Sequence, residues 1–175
     1  MKKIVLFVLL ICAIASLSFY VGRKTAGDSI LQNKKVTQVA VIVKDIDKAS
    51  VEWAKLLGVD VPESSIAEGH SSRPTLYKGQ PSDAKAKLAF FNMDNLQIEL
   101  IQPLGPKSTW QDYLDQHGEG IHHIAFQVKG IDGMEKKFLE NGDATVQRGG
   151  WDGGAYSYID ASSHLGCVLE LLENY

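Results

Sequence analysis

The stretch GEGIHHIAFQVKGID, residues 118–132, sets two histidines side by side at the start of a strand-like run. Imidazole is the side chain best suited to moving a proton or holding a metal near neutral pH. Neighbours in a strand point to opposite faces, so only one of His122 and His123 can serve a given site. His122 falls in step with Ile124, Phe126 and Val128, a face suited to packing under a helix. His123 falls in step with Ala125 and Gln127, a smaller and more polar face. Two carboxylates sit in equally apolar company. Glu99 lies within IELIQ and Glu170 within LELLE. A carboxylate in mid-strand among such residues needs a partner, because burying its charge alone is costly. With the amide of Gln38 the set is one imidazole, two carboxylates and one amide oxygen. These mixed N/O donors lack a thiolate and suit Zn, Ni, Co, Mn or Fe. The alternative is an open sheet with both glutamates in solvent and His123 as a hydrogen-bonded core residue.

These residues are tied together by an internal repeat. TQVAVIVKDID, from Thr37, matches HHIAFQVKGID, from His122. Val39 meets Ile124, Ala40 meets Ala125, Val43 meets Val128, and Lys44, Ile46 and Asp47 meet Lys129, Ile131 and Asp132. A helical stretch closed by glycine follows each copy, and IELIQ matches LELLE. Gln38 is thereby the counterpart of His123, and Glu99 of Glu170. Duplicated halves that pack about a twofold bring such counterparts together near the axis.

The elements that must position them follow from periodicity. Each half reads as a strand, a helix, two further strands and a last strand. In the first half the spacing of Val51, Ala54 and Leu57 predicts a helix over Asp47–Leu57, with Asp47 as N-cap. AKLAFFNM and LQIELIQP predict a hairpin around Asp94–Asn95. Residues 62–82 are rich in Pro, Ser and Gly and show no period. STWQDYLDQHG reads as a helix joining the halves, with Ser108 as its cap. AYSYID and CVLELLEN predict a second hairpin around Ser162–Gly166. Gly149, Gly150, Gly153 and Gly154 make the neighbouring segment a flexible lid or a simple turn, and Trp151, Tyr156 and Tyr158 could stack on a flat ligand or pack.

The chain has 175 residues and a formal net charge of -3 with both signs interspersed, which excludes a basic nucleic-acid footprint. Lys2 and Lys3 precede IVLFVLLICAIASLSFYVG. Residues 1–21 therefore read as a signal peptide or an N-terminal membrane anchor. The expected location is periplasmic or secreted, with the anchor as a membrane tether. Residues 22–34 read as a polar linker and 35–175 as the folded domain, in modules of about 35–104 and 119–175.

The duplicated halves, GEGIHHIAFQVKGID and the closing CVLELLEN resemble the vicinal oxygen chelate superfamily, which includes glyoxalase I, bleomycin resistance proteins and extradiol dioxygenases. IELIQPLGPKSTWQDYLDQHGEGIHHIAFQV resembles the glyoxalase I and methylmalonyl-CoA epimerase branch in particular. The resemblance implies an α+β fold of two paired βαβββ modules that form a curved mixed sheet around a central cleft. It maps the metal ligands onto Gln38, Glu99, His123 and Glu170. Epimerases carry His where this chain has Gln38, and the set here is similar to that of eukaryotic-type glyoxalase I. The epimerases' additional catalytic Glu falls on Lys87 or a nearby apolar residue. The implied function is an exported metal-dependent lyase or isomerase. It would act on a small substrate with vicinal oxygens by proton abstraction, with Glu170 as base, and enediolate stabilisation. A small-molecule binding or resistance protein without turnover and a metal-free structural domain are the alternatives. A homodimer is also implied.

Overall fold

The computed structural model describes residues 29–175, so the expected signal or anchor lies outside the described residues. Residues 29–34 carry no regular structure; Ile30 and Leu31 pack against the core of the second module. The first module runs β1 (Val36–Ile42), α1 (Ile46–Leu57), β2 (Ser65–Ala67), β3 (Leu76–Tyr77), β4 (Gln80–Pro81), β5 (Ala86–Asn92) and β6 (Gln97–Pro103). Helix α2 (Thr109–His117) joins it to β7 (Gly120–Gln127), α3 (Ile131–Glu140), β8 (Ala144–Trp151), β9 (Gly154–Asp160), α4 (Ser162–Leu165) and β10 (Val168–Asn174).

All ten strands form one curled sheet in the order β2-β5-β6-β1-β7-β10-β9-β8-β3-β4. Within each module the first and last strands pair in parallel, β1 with β6 and β7 with β10. The modules join through the antiparallel pair β1–β7. Four strands on each side are thus mirrored about that seam, as a twofold duplication requires, with β3 and β4 added beyond β8. Capping repeats the symmetry: Gln102 at the end of β6 accepts from Ile46 N, and Glu173 at the equivalent place in β10 accepts from Ile131 N. Each last strand in this way satisfies a free N–H at the start of its module's helix.

Alternating residues of the sheet feed two sides. On the convex side, Val43, Ala89, Phe91 and Leu100 pack under α1, and Phe126, Val128, Leu169 and Leu171 under α3. On the concave side, Ala40, Ile42, Ala86, Ile101 and Tyr158 meet Trp110, Tyr113 and Leu114 of α2. Full burial of side chains such as Ile42, Leu100 and Leu171 stabilises the fold by about 1.5–3 kcal/mol each.

The structure corrects one expectation and resolves two segments that the sequence leaves open. Helix α1 begins at Ile46, and its N-cap is Asp45, whose side chain accepts from Lys48 N. Asp45 is extended, as a cap must be, whereas Asp47 already lies in the first turn. The buried face of α1 runs Ile46, Ser50, Ala54, and Val51 points to solvent at 51% exposure. Of the two readings of segment 149–154 the turn holds: β8 and β9 meet through the two residues Asp152–Gly153, with Gly153 at φ 89°, a tight hairpin connection. Residues 62–82 hold strands too short to show a period. They leave the β2 edge and pair β3 onto β8 at the opposite edge, so this connection spans the open side of the half-barrel.

Candidate metal centre

The four candidate residues occupy the four central strands. Strand register sets them in two rows. One reads Glu99 (β6), Ala40 (β1), His123 (β7), and the other reads Glu170 (β10), Ala125 (β7), Gln38 (β1). Each row holds a carboxylate and an N or O donor on either side of an alanine with no exposed surface. The alanines leave the space into which the longer side chains reach.

The structure brings Glu99, His123 and Glu170 together, with one ligand atom from each within 4.8 Å of the others. His123 Nε2 lies 3.0 Å from Glu170 Oε2 and 3.6 Å from Glu99 Oε2. His123 is 0% exposed, Glu170 4%, Gln38 5% and Glu99 6%. Among the described residues, His123 Nε2, Glu170 Oε2 and Gln38 Oε1 find no hydrogen-bond partner. The 3.0 Å approach of the first two therefore lacks the alignment of a hydrogen bond. Gln38 turns its amide nitrogen to Gln97 Oε1 (2.6 Å), and Gln97 in turn donates to Asn92 Oδ1 (2.7 Å). In this arrangement the end of Gln38 left over is the oxygen. Buried polar atoms without partners are costly, and here they are lone pairs, which a divalent cation satisfies. Separations of 3.0 and 3.6 Å fit neighbouring ligands around a cation with bonds of about 2.1 Å. The donor set fits a divalent transition ion.

Electrostatics agree with that fit. Burial pushes Glu170 up to about 8, opposed by a hydrogen bond from Tyr158. Burial, then the charge of Glu170, holds Glu99 well above the carboxylate range. Burial drives His123 down to about 3. Burial thus favours the uncharged form of all three groups when no cation is bound, and cation binding favours loss of the carboxyl protons.

Aromatic side chains and α2 cover the centre. Tyr158 lies 4.8 Å from the His123 ring, centre to centre, and accepts from Trp110 Nε1 at 3.0 Å. Tyr156 lies 5.1 Å from Tyr158. Burial raises the Tyr156 phenol to about 12 and holds that of Tyr158 above its usual range as well. A Cβ on Gly149 would meet the Tyr156 ring at 2.8 Å, so that glycine makes room for the ring. Trp151, expected beside these tyrosines, lies instead at the hairpin turn, 40% exposed. Thr109 N donates to Gln147 Oε1, while Tyr77 and Lys78 both donate to Asp112. The crossing segment and β8 thereby pin α2 over the centre.

Sequence parity places Gln38, Glu99, His123 and Glu170 on the concave side, and the structure agrees. It misplaces His122. In the β1–β7 pairing Ala40 faces His123 and Val41 faces Ile121, so His122 is the extra residue of a β-bulge. The bulge turns it from the convex face to the concave side, beside His123 and against Tyr113 of α2. Lys87 is on the convex side, ion-paired with Asp47 at 2.6 Å; β5 sends Ala86 and Leu88 toward the cleft. Trp110 and Asn92 carried no sequence signal. Gln97 could have been found, since it is two residues before Glu99 on the same face.

A pair of βαβββ modules sharing one curled sheet, with buried donors at their seam, defines the vicinal oxygen chelate class. Residues 37–159 match the glyoxalase/bleomycin resistance protein/dioxygenase superfamily, and the chain belongs to it. Among curated relatives, it is 26% identical over 142 residues to the ethylmalonyl-CoA/methylmalonyl-CoA epimerase of Cereibacter sphaeroides, covering 78% of this chain and 96% of that one. A hypothetical protein of Bacillus halodurans superposes with TM-score 0.58 at 25% identity, covering 81% of this chain and 94% of the other. The methylmalonyl-CoA epimerase of Mycobacterium tuberculosis superposes with TM-score 0.57 at 21% identity, covering 88% and 95%.

Proposed function

We propose that the protein is a metal-dependent isomerase or lyase of the glyoxalase–epimerase type. It moves a proton on the carbon beside a carbonyl of a small substrate with two vicinal oxygens. The observation that carries this reading is the placing of Glu99 and Glu170, related by the twofold, on two sides of His123, with His123 Nε2 and Glu170 Oε2 left without a hydrogen-bond partner among the described residues. The epimerase relative supports the isomerase class.

Gln38, Glu99, His123 and Glu170 would hold the cation. A bound divalent ion supplies positive charge to the substrate oxygens as the proton leaves carbon. Glu170 serves as the base, its carboxyl oriented by the Tyr158 hydroxyl, which Trp110 holds in turn. With Lys87 turned away, β5 adds no carboxylate, so proton traffic falls to Glu170 and its counterpart Glu99. Trp110, Tyr156 and Tyr158 keep water from the centre.

A second reading, ligand capture without turnover, is favoured by one feature: the full burial of His123 beneath that aromatic cover. Proton exchange in deuterated water separates the two. The probes are methylmalonyl-CoA and the hemithioacetal of methylglyoxal and glutathione, followed by NMR with cobalt-loaded full-length chain. Loss of the substrate proton signal is expected, with Glu170→Gln still loading cobalt but not exchanging. Exchange undiminished in Glu170→Gln would overturn the mechanism, and no exchange in the unmodified chain would leave the binding reading. Export is also part of the proposal. It rests on residues 1–21 and is tested by fractionating cells that express the full chain.

A further inference from the structure

The bulged histidine is buried, titratable and unused by the mechanism above. His122 is 3% exposed, and its Nδ1 lies 2.9 Å from His123 Nδ1. Two ring nitrogens at that distance share one proton: one donates and the other accepts. Two bare nitrogens would repel, and so would two protonated ones. The surroundings decide which. Among the described residues, His123 Nε2 finds no aligned hydrogen-bond partner although Glu170 and Glu99 lie beside it, so a proton placed there would be left unsatisfied. The proton of the neutral His123 ring therefore belongs on Nδ1, where His122 Nδ1 lies in reach to accept it. His122 then carries its own proton on Nε2, and His123 Nε2 is bare.

We infer that His122 is a positioning residue: by accepting the Nδ1 proton of His123 it keeps His123 Nε2 unprotonated and aimed at the cation site. The bulge is what makes this contact available, because an unbroken strand would send the two rings to opposite faces. Edge-on packing of His122 against Tyr113 (5.5 Å) and Tyr158 (5.3 Å) holds its ring in place. The packing on Tyr113 also ties the His122–His123 pair to α2. A partner on the far nitrogen of a ligating histidine fixes its tautomer and orientation, and its loss lowers metal affinity by roughly 10–100-fold.

This inference rests on the proposed metal centre, and two measurements separate their failures. In metal-free, 15N-histidine-labelled full chain, long-range 1H–15N correlation reads each tautomer directly. His122 is expected as the Nε2–H form and His123 as the Nδ1–H form; the reverse pattern overturns the inference whether or not metal binds. Cobalt titration of the unmodified chain tests the centre itself. In His122→Phe, which keeps a ring but no acceptor, cobalt affinity should fall roughly 10–100-fold. His122→Asn, whose amide oxygen lies near the place of Nδ1, should restore most of it. Folded His122→Phe with unchanged affinity overturns the inference. Should that variant not fold, the tautomer spectrum of the unmodified chain decides.

Discussion

Replacing Glu170 by Gln should stabilise the metal-free protein at alkaline pH, although it removes the proposed base. Burial raises the Glu170 carboxyl from 4.5 to about 8 in the folded chain. A carboxyl raised on folding lets the folded state keep a proton that the unfolded chain gives up. Stability is then lost as pH climbs from the unfolded value through the folded one. Between about pH 5.5 and about pH 8.5 this group alone costs the metal-free fold about 3 kcal/mol. For a chain of this length that is a fall in Tm of roughly 6–12 °C. Glutamine has the same shape and no proton to lose, so Glu170→Gln should lack this part of the alkaline loss. Thermal and urea unfolding of both proteins with chelator at the two pH values is the assay. A Glu170→Gln chain less stable than the parent at the higher pH would refute the reasoning. It would mean that Glu170 is ionised and well partnered without a cation.

On the acid side, burial holds His122 and His123 down to about 3, so stability should fall in both proteins as pH drops below about 6.5; equilibrium unfolding from about pH 7 to about pH 4 checks the direction. Ala125→Val puts two methyl groups between Gln38 and Glu170 and should abolish cobalt binding in a chain that still folds, read by titration and circular dichroism. Gly149→Ala drives a methyl into the Tyr156 ring and should cost about 1–3 kcal/mol in urea unfolding. Lys87→Met breaks an ion pair on the convex side, far from the centre. It should leave metal content unchanged and shift stability by less than about 1 kcal/mol.

The duplication made most of the architecture legible, because six matched positions fix two modules and their symmetry selects Gln38, Glu99, His123 and Glu170 without local ligand spacing. Period-2 alternation then assigned their faces correctly. It failed at His122, since a bulge inserts one residue and shifts parity, and nothing in GIHHIAF marks where pairing breaks. The α1 cap was missed because Asp45 and Asp47 both fit a cap, and only the backbone tells which is extended. The crossing of residues 68–75 to the β8 edge was not legible either. Its strands are two residues long and pair with a partner some 70 residues away. Trp110 entered the site through the placement of α2, a tertiary fact.

The most direct test of the central claim is the metal content of the full-length chain after dialysis against a cobalt or zinc buffer and gel filtration. The four-residue centre predicts about one ion per chain in the unmodified protein and none above background in His123→Ala. An unmodified chain that emerges without metal, or a His123→Ala chain that keeps it, would contradict the account.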